Sequence, residues 1–186
     1  GQNPILNYIK NSNADIVCMQ EYAGSETAKI HLSNKEIRQA LKDYPYHNIK
    51  QVGKTGAGSQ LACYSKFPIL SARMLDYRSN YNGSMVYEIK IGKDTVLLIN
   101  NHLESNKLTR EDKVVYEDML KDPKAGKVKS GVRQLVNKLA EASAIRSAQA
   151  RTIAQEIAHS PYPSVIVCGD FNDSPISYAH RVISQD

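Results

Sequence analysis

The chain has 186 residues, of which 41% are apolar and 23% charged, so it can form one hydrophobic core and shows no sign of a second domain. Its net charge of +5 is uneven, because residues 105–151 carry 11 Lys/Arg against 6 Asp/Glu and the remainder carries 13 of each. No apolar run approaches the roughly 20 residues of a membrane helix, so we expect a soluble monomer, and no residue pattern assigns a compartment.

The first quarter of the chain predicts a short helix, a strand and a surface helix. Asn3-Pro4 combines a cap with a proline at the first helical turn, and the helix is expected to end near residues 11–13. Residues 14–21 (ADIVCMQE) form a nearly continuous apolar run, which is typical of a strand buried on both faces. A polar loop and a surface helix are predicted over residues 25–44, ending before Pro45.

Five short β-like runs follow, and the connections between them are too short to hold crossover helices. We therefore expect these strands to pair as antiparallel neighbours. The runs cover residues 46–50, 60–65, 69–77, 84–91 and 95–101, and turn sequences lie at residues 53–58, 66–68, 80–83 and 92–94.

The last part of the chain is mainly helical and contains one further strand. Residues 109–159 predict two helices interrupted near residues 122–126, the second of them long and rich in good helix formers over residues 134–158. Residues 164–168 (SVIVC) predict a buried strand, residues 169–173 a turn, and Ser174-Pro175 the start of a final helix through Ile183. The three cysteines lie in strand-like runs without metal-site or disulfide spacing, so we interpret them as buried thiols.

Three motifs place polar groups where an apolar strand is predicted to end. They are Gln20-Glu21, residues 100–104 (NNHLE) and residues 169–173 (GDFND). Strand ends at one edge of a sheet can bring side chains from distant parts of the sequence together on a rigid platform. This convergence makes the three motifs candidates for a common site.

Each motif also has an ordinary structural interpretation when it is taken alone. Glu21 can be a solvated residue at a strand end, although its oxygens suit Mg²⁺. His102 can simply hydrogen-bond the backbone. Asp170 and Asn172 can belong to a tight turn, although in extended backbone they would project to the same side while Phe171 turns into the core.

Taken together, the motifs resemble those of the endonuclease/exonuclease/phosphatase superfamily in order and in wording. ADIVCMQE resembles the segment with the family's metal-binding Glu, INNHL the segment with its central His, and CGDFNDSP the segment with its Asp and Asn. Residues 60–69 resemble a strand of the family, and residues 146–150 (RSAQA) resemble its R-x-x-Q-A helix. The resemblance spans nearly the whole chain.

The resemblance implies an α/β fold of the deoxyribonuclease I type. This is a four-layer sandwich of two packed mixed or antiparallel sheets flanked by helices. We expect one such domain over residues 1–186, with a basic helical insertion over residues 105–138. Nine of the basic residues lie between Lys107 and Lys138.

The same resemblance implies a metal-dependent hydrolase of a phosphodiester or a phosphomonoester. Glu21 would hold Mg²⁺ (or Mn²⁺), and Asp170 would orient or deprotonate the attacking water. Asn172 and His102 would bind and stabilise the phosphate oxygens. These residue types suit the reaction, because phosphoryl transfer builds negative charge on oxygens and requires a cation, hydrogen-bond donors and an aligned nucleophile. His159 and His180 fall in predicted helices and are interpreted as structural.

The sequence departs from the family pattern at both ends. The family usually has an Asn on a strand before ADIVCMQE and a Ser-Asp-His motif on a last strand, and neither pattern occurs here. We therefore expect this chain to lack the first and last strands of the domain and to be weakly active or inactive alone, while the parent protein is a hydrolase.

The alternative is a catalytically silent module that keeps the fold and binds phosphate groups or nucleic acid. The basic segment could clamp a polyanion, with affinity that falls steeply with salt. The acids intermingled with its lysines and arginines favour a solvated helix face instead. The expected partner is thus a phosphoester substrate, and nucleic acid stays a possible one.

Overall fold

The computed structural model describes residues 3–24, 32–53, 59–77, 79–121 and 128–185, without the side chains of residues 119, 120 and 128–130. This part of the chain contains five helices and seven strands. They are α1 (Pro4–Ser12), β1 (Ile16–Met19), α2 (Asn34–Ala40), β2 (Tyr46–Gln51), β3 (Gln60–Ser65), β4 (Ile69–Met74), β5 (Gly83–Ile91), β6 (Asp94–His102), α3 (Arg110–Lys121), α4 (Val128–Ala158), β7 (Val165–Asp170) and α5 (Tyr178–Ser184).

The strands form two sheets. A three-stranded sheet has the order β1-β3-β2, and a four-stranded sheet has the order β4-β5-β6-β7. Antiparallel pairing was predicted for consecutive mid-chain strands and is confirmed for β2–β3, β4–β5 and β5–β6. It is wrong for β3 and β4, which belong to different sheets although only residues 66–68 separate them. β6 and β7 are parallel, as their helical connection requires.

Three hydrophobic clusters fill the spaces between four layers. The first joins α1 and α2 to the three-stranded sheet, the second lies between the two sheets, and the third joins the four-stranded sheet to α4 and α5. Their buried members include Ile9, Ile37 and Tyr64 in the first, Leu61, Tyr87 and Leu98 in the second, and Ile99, Ile153 and Ile183 in the third. The four-layer α/β sandwich predicted from the sequence is confirmed.

β1 and β7 stand at the ends of their strand orders in the described part of the chain. All four residues of β1 are half-buried, so the prediction of a strand buried on both faces is wrong. Within the described residues β1 pairs with β3 alone, so no second strand covers its other edge there. Of the three cysteines, all free thiols, Cys63 is buried, whereas Cys18 on β1 and Cys168 on β7 are only half-buried.

One helix start differs from the predictions. α2 begins at Asn34 behind a capping box on Ser33, within the range 25–44 predicted for a polar loop and a helix, of which residues 25–31 lie outside the described residues. α4 begins at Val128, directly after the predicted break at residues 122–126, which also lies outside them.

The start that differs is that of the final helix, which begins at Tyr178 rather than at Ser174-Pro175. The Ser177 side chain accepts the His180 N–H as the helix cap. Ser174 instead accepts the N–H of Ile176 in a tight turn. Both serines are residues that often cap helices. The turn after β7 occupies Ser174, so Ser177 is the one that caps the helix. No helix in the described part is long and apolar enough to cross a membrane.

Candidate active site

One cleft is lined by polar residues from the ends of several strands. It has a volume of about 540 Å³. Three of the four residues predicted for the site, Glu21, His102 and Asn172, lie on its wall. The residues lining it include Glu21, Tyr22, Gln60, Tyr81, Asn82, His102, Ser105 and Asn172.

Glu21 reaches the cleft from a short segment beyond β1. Its side chain is 79% exposed. Its backbone is left-handed, with a φ of 50°, which costs an ordinary residue roughly 1–2 kcal/mol. The residues on either side of Glu21 are hydrogen-bonded to other strands. Gln20 Nε2 donates to Asn100 Oδ1 at 2.6 Å, and the Tyr22 N–H donates to the Gln60 carbonyl at 3.0 Å. These two bonds hold the strained carboxylate-bearing residue at the rim.

His102 is the last residue of β6 and is only 4% exposed. Its Nε2 lies 3.8 Å from Glu21 Oε1, which is longer than a hydrogen bond. Its Nδ1 is buried and has no hydrogen-bond partner within the described part of the chain. The imidazole is therefore fixed by packing, and its Nε2 can bind a further group in the cleft.

Asp170 ends β7 and lies directly beside His102 in the parallel pair. Asn172 has a φ of 51°, so the expectation that residues 170 and 172 project alike from extended backbone is wrong. Asp170 Oδ1 instead accepts the Asn172 N–H at 2.9 Å and closes a tight turn. Phe171 packs against the third core cluster, as predicted. Asp170 is exposed and is not among the residues lining the cleft, so the structure brings three of the four predicted residues together there.

The Leu103 carbonyl connects two residues that line the cleft. It accepts the side-chain amides of Asn82 and Asn172, both at 3.0 Å. The Leu103 N–H donates to the Asp170 carbonyl at 2.9 Å. The residue after His102 thereby ties the end of β6 to the start of β5 and to the loop after β7.

Asn82 is a cleft residue that the sequence analysis missed, because residues 80–83 were interpreted only as a turn. Its Oδ1 is buried without a hydrogen-bond partner in the described part. A usable signal was present, since β5 and β6 form a hairpin around Gly92. Counting outward from that turn pairs Gly83 with His102 and places residue 82 at the cleft.

The cation that the family resemblance implies needs suitable donor atoms at the cleft. Within the described residues no three His, Cys, Asp or Glu side chains are placed to hold an ion together. Mg²⁺ is commonly held by one or two carboxylates and otherwise by water and substrate phosphates. Glu21, an exposed carboxylate facing a wide cleft, fits that mode of binding.

Ionisable groups behind the cleft are held neutral. Burial raises the pKa of the Tyr77 hydroxyl above its usual range, against the opposing effect of its hydrogen bond with Ser84. A hydrogen bond with the Cys18 thiol, together with burial, raises the pKa of the Cys168 thiol. Neither Tyr77 nor Cys168 therefore supplies an anionic nucleophile near neutral pH.

The two histidines interpreted as structural do not line the cleft. His159 Nδ1 lies 2.7 Å from the Gln155 carbonyl at the end of α4. The His180 ring packs on Phe171 with 5.2 Å between centroids. Both contacts are local, which agrees with the structural interpretation.

A two-sheet sandwich with helices on both outer faces and polar loops at its strand ends defines the deoxyribonuclease I-like class. The family model described as "Endonuclease/Exonuclease/phosphatase family" matches residues 1–185, and the chain belongs to that family. No curated protein matches it.

Solved structures agree on the fold. Sphingomyelinase C from Streptomyces griseocarneus is 18% identical with a TM-score of 0.61, and the match covers 97% of this chain and 60% of that one. Beta toxin from Staphylococcus aureus is 16% identical with a TM-score of 0.59, covering 99% and 60%. D. rerio TDP2 complexed with single-strand DNA product is 15% identical with a TM-score of 0.56, covering 97% and 55%. The chain thus spans less than two thirds of these structures.

Proposed function

We propose that this chain forms the central part of a divalent-metal-dependent phosphoester hydrolase. The observation that carries the proposal is the convergence of Glu21, His102 and Asn172, each from a different strand end, on one cleft. Glu21 also holds a left-handed backbone, which is unfavourable for a glutamate. Strain of this kind persists only where the surroundings enforce it, and it clusters at functional sites.

We assign each residue a role that its chemistry supports. Glu21 would hold Mg²⁺ or Mn²⁺ at the rim, and a bound ion would supply positive charge beside a phosphoryl oxygen. His102 Nε2 and the side chain of Asn172 bind the nonbridging oxygens of the phosphate and stabilise the charge that develops there. Asp170, immediately beside His102, orients or deprotonates the attacking water.

We propose a phosphodiester or phosphomonoester as the substrate class. One structural neighbour is named a sphingomyelinase and another is complexed with a DNA product, so the fold alone favours neither kind of ester. Lys107 forms an ion pair with Glu104, and Lys138 one with Asp112. These pairs occupy two of the basic side chains that a nucleic-acid clamp would use, which supports the solvated helix face.

The test is hydrolysis of bis(p-nitrophenyl) phosphate and p-nitrophenyl phosphate by the protein at its natural length. Turnover is measured with Mg²⁺, with Mn²⁺ and with EDTA, for the wild type and for Asp170→Ala. The matched control is Asp15→Ala, whose exposed carboxylate pairs with Lys66. We expect metal-dependent turnover that EDTA and Asp170→Ala abolish and Asp15→Ala keeps. Unchanged turnover in Asp170→Ala would refute the proposal.

A second candidate is the silent phosphate-binding module, favoured by the exposure of Asp170 and by its absence from the cleft wall. This candidate predicts that inorganic phosphate binds in the cleft while neither ester is turned over with any metal. Calorimetric titration with phosphate, run beside the ester assay, distinguishes the two candidates.

A further inference from the structure

The backbone that follows His102 is fully bonded. The Leu103 N–H donates to the Asp170 carbonyl, and the Leu103 carbonyl accepts the side-chain amides of Asn82 and Asn172. The Glu104 N–H donates to Gln149 Oε1 at 2.9 Å, and the Glu104 carbonyl accepts from Arg146 at 2.9 Å. All four polar groups of this dipeptide are thus held by other elements of the fold.

Two of these bonds come from one face of α4. Arg146 and Gln149 are three positions apart, a spacing that places side chains next to each other on a helix. Arg146 is 4% exposed and Gln149 is 1% exposed. Burying a guanidinium costs free energy unless its donors are hydrogen-bonded and its charge is paired.

The same guanidinium also bonds the loop after β7. Arg146 Nε donates to Asp173 Oδ2 at 3.1 Å, and Nη1 also donates to Asn106 Oδ1 at 2.8 Å. The planar fork of an arginine offers several donors in fixed directions, which the single ammonium of a lysine cannot copy. Arg146 therefore connects the loop that follows His102 with the loop that contains Asn172.

We propose that Arg146 is a positioning residue that fixes His102 and Asn172 relative to each other on the cleft wall. It does not line the cleft and acts through Glu104 and Asp173. The inference rests on the proposed function for its kinetic consequence. The physical reason is that a displacement of about 1 Å at a reacting centre can cost roughly 100-fold in rate.

Four variants test the proposal in the protein at its natural length. Arg146→Lys keeps the charge but loses the planar set of donors, Arg146→Ala removes the guanidinium, and Asp173→Asn is a milder change that keeps the size of the side chain. Arg151→Lys is the matched control, because Arg151 lies on the same helix and, within the described residues, makes only a 3.5 Å exposed contact to the Tyr178 hydroxyl. Thermal denaturation establishes that each variant is folded.

We expect Arg146→Lys and Asp173→Asn to lower kcat by roughly 10- to 100-fold while KM changes little. Combining them should cost less than the product of the two single effects, because they break one network. Low concentrations of guanidinium should raise the kcat of Arg146→Ala, and sodium chloride at equal ionic strength should not. Arg151→Lys should match the wild type.

A second readout does not depend on turnover. The imidazole nitrogen shifts of His102 in a ¹⁵N-histidine spectrum should move in Arg146→Lys and Asp173→Asn and stay unchanged in Arg151→Lys. If the wild type hydrolyses neither ester, the proposed function fails, and the shifts still decide whether Arg146 positions His102. A lower melting temperature with unchanged kcat and unchanged His102 shifts would overturn the proposal, since Arg146 would then only stabilise the fold.

Discussion

The two sides of the cleft are built differently. On the β6 side, His102 is 4% exposed and the two residues after it are bonded through every backbone polar group. On the β1 side, the Glu21 side chain is 79% exposed and lies beyond a four-residue strand at the end of its sheet. One side is set by the fold itself, whereas the other presents a solvated carboxylate.

This difference separates two kinds of catalytic task. Donors that stabilise developing charge are most effective when the fold holds them in place before the substrate arrives. A carboxylate that binds a hydrated cation has no such need, because water and substrate oxygens complete the coordination. We therefore expect the reaction rate to depend on the rigidity of the fold around His102, and the role of Glu21 to depend on metal concentration.

The largest effect is expected at the rigid side. His102→Ala should lower kcat by roughly 10²–10³-fold, because one preorganised donor to the phosphate oxygens is lost. His159→Ala is the control, since His159 is exposed at the end of α4 and contacts only the Gln155 carbonyl within the described part. Steady-state kinetics of both variants at saturating Mg²⁺ check this prediction. Equal activity of the two would remove His102 from the site.

A stability effect of intermediate size tests how tightly the rigid side is packed. Gly169 precedes Asp170 with a φ of 134°, and an added Cβ would lie 2.0 Å from the Asn101 carbonyl oxygen. Gly169→Ala should therefore lower the free energy of unfolding by about 2–4 kcal/mol. Urea denaturation with an unchanged m value measures the loss.

The control for that substitution lies in the β5–β6 turn and should give a smaller effect. Gly92 has a φ of 60° and open space around its Cα, so Gly92→Ala should cost only the backbone strain of about 1–2 kcal/mol. A loss at Gly169 no larger than that at Gly92 would contradict the tight contact between β6 and β7.

Much of the fold could be predicted because its signals are local. Asn3 caps the first helix through its own side chain, and the hairpin around Gly92 follows from a turn between two apolar runs. The assignment of β3 and β4 to different sheets could not be predicted from residues 66–68. Which sheet a strand joins is decided by distant partners: β1 and β2 for β3, and β5 for β4.

The site was predictable as a set of residues but not as a geometry. The motifs named Glu21, His102 and Asn172 because polar side chains at strand ends stand out from apolar runs. The left-handed conformations of Glu21 and Asn172 could not be predicted, because the bonds that hold these segments come from elsewhere in the chain. Gln20 and Tyr22 bond Asn100 and Gln60, and the Asn172 side chain bonds the Leu103 carbonyl. Arg146 was recognised only as part of a helix motif, since its partners Glu104 and Asp173 lie 42 and 27 positions away along the chain.

The most direct test of the central claim is the Mg²⁺ dependence of turnover in Glu21→Gln and His102→Ala, measured in the protein at its natural length. Glu21→Gln should need at least about tenfold more Mg²⁺ for half-maximal rate, a change of about 1.4 kcal/mol, and should regain much of its kcat at saturation. His102→Ala should stay slow at every Mg²⁺ concentration. If both variants respond to Mg²⁺ in the same way, the assignment of metal binding to Glu21 and of charge stabilisation to His102 is contradicted.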